Sequence, residues 1–177
     1  MNIVVLEGSP NQHGSSNLLA DAFIRGAAEA RHAVEVIDAA HAHLHPCIGC
    51  IRCGYEGPCV QKDDMEQFRH QILRADMLVF VTPLYYYGMS AQLKILLDRF
   101  CAINGSITRK HMKSALLSVA WNSDGWTFEA LEAHYKTLVR YLNLDDQGMV
   151  LGKGCGTPSM TARSPYLEQA YELGFHL

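Results

Sequence analysis

The sequence predicts an α/β protein in which five parallel strands form one doubly wound sheet with helices on both faces. Two observations lead to this prediction. Short apolar runs alternate along the chain with longer segments whose apolar residues recur at helical spacing. The strand runs are apolar almost throughout, which is typical of strands buried on both faces of a parallel sheet. Right-handed crossovers between such strands place helices on each face.

The first part of the chain contains two predicted strands, each followed by a helix. The apolar run from Asn2 to Leu6 ends in a Gly-Ser-Pro turn and forms the first strand. A helix is expected from Asn17 to Arg31, and Val34 to Ile37 form the second strand. Asp63 and Asp64 open the next helix, because acidic side chains favour the positive N-terminal end of a helix dipole.

The alternation continues to the end of the chain. The remaining strands are predicted at Met77 to Val81, Ser114 to Ala120 and Met149 to Leu151, and the remaining helices at Met89 to Phe100, Thr127 to Leu142 and Pro165 to Leu173. Five strands in this alternation fit the flavodoxin-like order 2-1-3-4-5, whose ligand binds beside the switch point between the first and third strands. The loops 8–17, 82–89 and 120–126 are therefore expected to converge on one site.

Length and composition indicate a single domain over residues 1–177. The 49% hydrophobic and 19% charged residues are ordinary globular values, which argues against disorder. A net charge of −3 without basic clusters argues against a nucleic-acid partner. The sequence MNIVVLEGSP does not resemble a secretory leader, and no apolar run reaches the roughly 18 residues of a membrane span. We therefore expect a cytoplasmic protein.

The loop after the first strand has the composition of a phosphate-binding loop. From Gly8 to Asn17 it reads GSPNQHGSSN. Its glycines allow tight turns, its serines offer hydroxyl groups, and the helix that follows presents unpaired amides to an anion. The loop lacks both the Walker pattern and GxGxxG, so a single phosphomonoester is favoured over a nucleoside triphosphate or a dinucleotide. Taken alone, the loop also fits an ordinary polar turn.

Aromatic residues follow the third and fourth predicted strands. Tyr85, Tyr86 and Tyr87 follow the third strand, and Trp121 follows the fourth. Beside a phosphate-binding loop, these residues suit a platform for a flat ring system. The alternative is that some of them cover the core or contact a second subunit.

Four cysteines fall within thirteen residues in the pattern CxxCxxCxxxxxC: Cys47, Cys50, Cys53 and Cys59. The spacing suits an iron–sulfur cluster, zinc or thiol redox chemistry. In a reducing compartment, metal binding or catalysis explains this crowding better than a disulfide framework does. A thiol-lined loop without a metal is a further alternative. Cys101 is expected in the core.

Three stretches together resemble the NADPH-dependent FMN reductase family of flavodoxin-like proteins, and particularly its iron–sulfur flavoprotein branch. They are GSPNQHGSSN, TPLYYYGMSAQLKILLDRF and CIGCIRCGYEGPCVQKDDM, and the similarity spans about residues 1 to 125. The rest of the chain matches only in its order of strands and helices. The family often has basic residues just after the Gly-Ser-Pro turn, where this chain has Asn11 and Gln12.

The resemblance implies an FMN site, a homodimer and, for the cysteine loop, a 4Fe-4S cluster. It implies that the FMN phosphate is bound by Ser9, Asn11, His13, Ser15, Ser16 and Asn17. It implies that the isoalloxazine lies along Pro83, Leu84, Tyr85, Tyr86, Tyr87 and Gly88, with Trp121 near the ring or the ribityl chain. The cluster ligands that it implies are Cys47, Cys50, Cys53 and Cys59.

Three functional hypotheses follow. The first is an FMN-dependent NAD(P)H oxidoreductase that passes electrons to a quinone, a flavin or another small acceptor. Because the flavin itself accepts the hydride, no catalytic acid or base is required from the chain. The second is an iron–sulfur flavoprotein that carries electrons for a ferredoxin-like protein partner. The third is a metal-binding regulatory module without flavin.

Overall fold

The computed structural model describes residues 1–177 and contains one five-stranded sheet. Its strands are β1 (Asn2–Glu7), β2 (Ala33–Asp38), β3 (Met77–Pro83), β4 (Lys113–Val119) and β5 (Asp145–Gly152). They lie in the order β2-β1-β3-β4-β5, and each neighbouring pair is parallel. The predicted order is confirmed, and the switch point lies between β1 and β3.

Seven α-helices connect or follow the strands. They are α1 (Ser15–Glu29), α2 (Met65–Arg74), α3 (Ala91–Asp98), α4 (Asn104–Lys110), α5 (Glu129–Leu142), α6 (Pro158–Ala162) and α7 (Tyr166–Phe175), and a 3₁₀ turn over Arg99–Ile103 joins α3 to α4. The sequence does not predict the short helices α4 and α6, because five to seven residues contain too few turns for a helical period to stand out. None of the helices combines the length and the apolar character of a membrane span.

Helices cover both faces of the sheet, as predicted. Successive strand residues point to opposite faces, so Leu78 and Phe80 of β3 pack in one core while Met77 and Val79 pack in the other. The first core lies between the sheet and the helices α2, α3 and α5, and the second lies between the sheet and the helices α1 and α7. Every residue of β3 except Pro83 is buried, which explains its continuous apolar run.

Strand β5 is longer than predicted. It begins at Asp145, whereas the apolar pattern indicates only Met149 to Leu151. Its first half is polar and exposed because β5 is an edge strand that pairs only with β4. A register shift beside Ser114 and a left-handed Gly148 (φ 127°) interrupt this half of the pairing. Because an edge strand tolerates polar residues, the apolar pattern of the sequence does not reveal the first half of β5.

Candidate functional site

A cavity of about 330 Å³ lies at the carboxyl edge of the sheet. The three predicted loops converge there, and the loop after β5 forms a fourth wall. The sequence-predicted residues that line it are Ser9, Asn11, Ser15, Ser16, Pro83, Leu84, Tyr85 and Trp121. The loop after β5 adds Cys155, Gly156 and Pro158. One end of the cavity is thus hydroxyl-rich, and the other is apolar and aromatic.

The loop after β1 is a compact turn held by its own polar groups. The Asn11 amide donates to Ser9 Oγ (3.2 Å), and the His13 amide donates to Asn11 Oδ1 (3.1 Å). Helix α1 begins immediately afterwards at Ser15, so its first-turn amides are free of intrahelical partners. The Ser15 hydroxyl is buried without a hydrogen-bond partner and lines the cavity. An anion at this helix end would supply that missing partner.

Not every predicted phosphate-binding residue lines the cavity. The side chain of Asn17 donates through Nδ2 to Glu7 Oε2 (2.9 Å) instead, and His13 is exposed outside the cavity. Burial raises the pKa of Glu7, and the carboxylates of Asp21 and Asp38 raise it further. Asn17 therefore supports the loop from its β1 side.

Ser90 joins the loops that follow β1 and β3. Its amide donates to Thr82 Oγ1 (2.8 Å), and its hydroxyl donates to the Gly8 carbonyl (2.6 Å) and accepts from the Leu93 amide (3.2 Å). Ser90 is thereby also the N-cap of α3. A Cβ at Gly8 would lie 2.5 Å from Leu93 Cβ, so only glycine permits this approach. A serine directly before an apolar helical segment is the sequence signal for this cap, and the predicted site did not include it.

The three tyrosines form a tight hairpin at the cavity mouth. Tyr85 and Gly88 exchange backbone hydrogen bonds of 3.0 and 3.1 Å, and Tyr86 and Tyr87 occupy the turn with φ of 46° and 63°. Such turns favour Asn-Gly, and a left-handed conformation costs a larger residue roughly 1–2 kcal/mol. The turn leaves Tyr86 fully exposed and packs Tyr87 against Trp126, with ring centroids 4.9 Å apart and ring planes tilted by 39°. Backbone strain of this kind is typical of ligand-binding sites.

A second, shallower cavity of about 250 Å³ adjoins the first. It is lined by Leu84, Tyr86, Tyr87, Ala120, Trp121 and Asn122. Leu84, Ala120 and Trp121 belong to both cavities, so the two spaces share an apolar wall. Gly88 lines neither of them. The shared wall allows two flat molecules to lie near each other.

Trp121 rests on the loop that follows β5. Val119 pairs with Gly152 in the sheet, and the Cys155 amide donates to the Ala120 carbonyl (2.7 Å). A Cβ at Gly156 would lie only 2.0 Å from Trp121 Cε3, so the indole packs directly on the glycine backbone. The glycines on either side of Cys155 are the sequence signal for this contact, but nothing in the local pattern connects them with Trp121.

The four clustered cysteines surround a separate small cavity, and Cys101 joins them. The cavity of about 20 Å³ is lined by Cys47, Cys50, Cys53, Cys59 and Cys101. All five thiols are free. Cys101 was expected in the core, but it follows α3 and faces the loop, with Cys53 Sγ 3.9 Å from its carbonyl oxygen. Burial and the neighbouring thiols of Cys53 and Cys47 raise the pKa of Cys101 to about 11.

The cysteine loop is held at its outer edge but strained within. Ile51 has a φ of 56°, a conformation that is rare for a β-branched residue, and Tyr55 has a φ of 64°. Arg109 of α4 donates to both oxygens of Glu56 (2.7 and 2.9 Å), and Ser106 also donates to that carboxylate (3.1 Å). These contacts are exposed, so they fix the position of the loop more than they stabilise it.

The thiols do not form a site for a single metal ion, and the space between them is smaller than a 4Fe-4S cluster. No three His, Cys, Asp or Glu side chains converge on one ion position, whereas tetrahedral zinc needs all its sulfurs at about 2.3 Å from one ion. In a 4Fe-4S cluster each thiolate binds a different iron, so the sulfurs surround a space. The present space holds about one water molecule, and the loop must move outward to admit four irons.

Residues 1–151 match the model of the NADPH-dependent FMN reductase family. This protein belongs to that family. Over 99 residues this family member is 37% identical to an iron–sulfur flavoprotein of Methanocaldococcus jannaschii, with 56% of this chain and 51% of that protein aligned. It is 30% identical to an iron–sulfur flavoprotein of Archaeoglobus fulgidus over 56% of this chain and 45% of that protein. The chain spans about half the length of the curated relatives it matches.

Solved structures support the fold of this FMN reductase family member. An NAD(P)H:quinone oxidoreductase from Methanothermobacter marburgensis superposes with a TM-score of 0.80 at 20% identity, covering 99% of this chain and 95% of that chain. An FMN-dependent NADH-azoreductase from Bacillus anthracis in complex with FMN superposes with a TM-score of 0.75 at 13% identity, covering 99% of both chains. At these identities, the likeness establishes the fold alone.

The residues of the larger cavity fit FMN, the cofactor of this family. The unpaired Ser15 hydroxyl and the α1 amides suit a phosphate, and Tyr85 and Trp121 suit a flat ring. No lysine or arginine lines the cavity. A phosphate in this family member would therefore be held by neutral donors and the helix dipole alone.

Proposed function

We propose that this protein is an FMN-dependent NAD(P)H oxidoreductase that passes electrons to a quinone, a free flavin or another small acceptor. The observation that carries this proposal is the cavity of about 330 Å³ with a hydroxyl-rich end and an aromatic end. In a molecule that joins a phosphomonoester to a flat ring, the phosphate suits the hydroxyl-rich end and the ring suits the aromatic end. The position at the switch point between β1 and β3 agrees with ligand binding in doubly wound folds.

The phosphate end is proposed to bind through hydroxyl and amide groups. Ser9, Ser15 and Ser16 offer hydroxyls, and the first turn of α1 offers amides and the positive end of its dipole. Asn11 shapes the turn through its side chain and its carbonyl. His13 and Asn17 take supporting positions outside the cavity. Because these donors are uncharged, we expect phosphate affinity to depend on all of them together.

The ring end is proposed to orient the flavin and leave one face open. When bound, FMN accepts a hydride from the reduced nicotinamide and delivers electrons to the acceptor. Pro83, Leu84 and Tyr85 supply one wall of the cavity, and Trp121 supplies the wall shared with the shallow cavity. The shallow cavity, with Tyr86 and Tyr87 on its rim, has the aromatic lining that a nicotinamide or a quinone requires. These side chains bind and exclude water; none has to transfer a proton.

Anaerobic reduction of the FMN-loaded protein tests this proposal. Visible absorbance of the bound flavin should bleach on addition of NADPH or NADH and return on addition of a quinone. Ser15→Ala should weaken FMN binding, and the matched control Ser159→Ala, on α6 outside the cavity, should not. A protein that binds no FMN, or whose flavin is bleached by neither nicotinamide, would overturn the assignment.

A second candidate function is an electron carrier with FMN and a 4Fe-4S cluster, reduced by or reducing a ferredoxin-like protein. The cysteine cavity favours it, because four thiols of one loop surround a single space. The proposed ligands are Cys47, Cys50, Cys53 and Cys59. Anaerobically purified protein should contain about four irons per chain. Cys53→Ser should remove them, while Cys155→Ser, at a buried cysteine outside the loop, should not. Iron retained in Cys53→Ser and lost in Cys155→Ser would exclude this loop as the cluster site.

We also propose that the chain is one domain that acts as a cytoplasmic homodimer. Five large aromatic side chains around the two cavities are exposed: Tyr85, Tyr86, Tyr87, Trp121 and Trp126. Exposed aromatic groups of this size commonly mark contact surfaces. Light scattering of the purified protein should give twice the chain mass, and a monomer at micromolar concentration would contradict the dimer.

A further inference from the structure

Arg99 is the only charged residue of the chain whose main chain and side chain together are almost completely buried, with 1% of the residue exposed. It begins the 3₁₀ turn after α3, and its side chain lines the cavity of the five cysteines. A buried guanidinium requires partners for its charge and for its five N–H groups. The directions of those N–H groups therefore indicate what Arg99 does.

Most of the guanidinium is bound by Asp63, the residue that opens the helix after the cysteine loop. Nη1 donates to Asp63 Oδ2 (2.6 Å) and to the His45 carbonyl (2.8 Å), and Nη2 donates to Asp63 Oδ1 (3.0 Å). The Asp63 side chain is also fully buried, and it accepts from the amides of His45 and Met65. The pair thus holds both ends of the cysteine loop on one guanidinium.

Two of the five N–H groups remain without a partner, namely Nε–H and the second N–H of Nη2. Arg99 Nε is buried and makes no hydrogen bond, although its side chain adjoins the thiols. Burial acts to lower the pKa of Arg99, but Asp63 and the nearby Cys59 sulfur outweigh it and raise that pKa. A free charged donor beside a set of sulfurs is an incomplete interaction. Thiolate or sulfide acceptors in this cavity would complete it.

We propose that Arg99 donates its Nε–H to a sulfur at the cysteine site and sets the reduction potential of a cluster bound there. This role rests on the iron–sulfur assignment proposed above. Arg99 is not a ligand of the cluster, and Asp63 is the positioning residue that holds its guanidinium in place. A one-electron reduction adds one negative charge among the sulfurs. Hydrogen bonds and positive charge near the sulfurs favour that reduced form and raise the potential.

Substitutions that include Asp63 test the role of Arg99, because two of them should shift the reduction potential in opposite directions. In the double variant Arg99→Met with Asp63→Asn, the buried pair loses both charges, so its net charge is unchanged while the Nε donor is lost. In Asp63→Asn alone, the donor remains and its positive charge is no longer neutralised. The first change should lower the potential and the second should raise it. A purely structural role has no reason to give opposite signs.

The experiment is an EPR-monitored redox titration of the full chain after anaerobic reconstitution, with iron counted in each variant. At a fixed solution potential, the reduced-to-oxidised ratio should fall about tenfold in the double variant, or about 59 mV for a one-electron couple. The ratio should rise in Asp63→Asn. The control Arg109→Met removes an exposed arginine that holds the same loop through Glu56, and its ratio should stay within about twofold of the wild type.

The outcomes distinguish failure of the Arg99 proposal from failure of the iron–sulfur assignment. Wild-type protein that takes up no iron would overturn both proposals. Iron-loaded variants with unchanged ratios, or shifts of the same sign in Asp63→Asn and the double variant, would overturn only the role of Arg99. If the double variant does not fold, the sign of the shift in Asp63→Asn decides the question: a fall or no change contradicts the proposal.

Discussion

Substitution of Gly156 by alanine should displace Trp121 and weaken FMN binding. The added Cβ would lie 2.0 Å from Trp121 Cε3 and 2.4 Å from Cδ2. Carbon atoms pack at about 3.5–4.0 Å, so the indole has to retreat by roughly 1.5–2 Å. Because Trp121 is 72% exposed, that movement should cost less than about 1 kcal/mol of folding stability. The main effect should therefore be weaker binding of FMN.

The expected loss follows from ring stacking. An aromatic pair contributes about 0.5–1.5 kcal/mol beyond its buried area, which corresponds to roughly a twofold to tenfold weaker FMN affinity. Titration of FMN fluorescence against protein measures this change, and thermal unfolding in the absence of FMN checks stability. Gly125→Ala is the matched control, since its Cβ meets nothing within 4 Å. Equal affinities of wild type and Gly156→Ala would refute the stacking of FMN on Trp121.

Three further predictions concern strain, pH and capping. Tyr86→Gly relieves a left-handed residue and should raise the free energy of unfolding by about 1 kcal/mol in urea titrations, with slower electron transfer if the ring contacts the acceptor. Burial alone would raise the pKa of Asp63, but hydrogen bonds from Arg99 and backbone amides outweigh it and lower the pKa to about 2. Because of this lowered pKa, ionised Asp63 should contribute roughly 2 kcal/mol of stability at pH values above its unfolded-state pKa. That stability should be lost as pH falls through about 2. In an acid titration followed by circular dichroism, Asp63→Asn should lack this pH-dependent loss of stability. Ser90→Ala removes the α3 cap and the bond to Gly8, and should cost about 1–2 kcal/mol in chemical unfolding, whereas no loss would contradict the capping role.

Sequence reasoning succeeded where one local pattern determined the structure. The buried runs of β1, β3 and β4 are apolar because helices cover both faces, so their continuous apolar character identified them. It failed for the first half of β5, where edge position permits Asp145 and Asp146, and for α4 and α6, which are too short to show a period.

The features of the candidate site also divide into those that the sequence predicts and those that depend on long-range contacts. Convergence of the loops follows from strand order, so it could be predicted without coordinates. The contribution of Gly156 depends on the pairing of Val119 with Gly152, and the position of Cys101 depends on how α3 ends against the cysteine loop. The direction of His13 and Asn17 depends on the turn at Asn11. Such long-range geometry has no short sequence signature.

Helix α3 joins the two candidate sites as a spacer of defined length. Its cap Ser90 holds the loops of the larger cavity, and Arg99, directly after its last residue, lines the cysteine cavity. At about 1.5 Å per residue, the nine steps between them span roughly 13 Å. If FMN and a cluster occupy the two proposed sites, the number of residues in this helix limits how fast they exchange electrons, because electron-transfer rates fall steeply with distance.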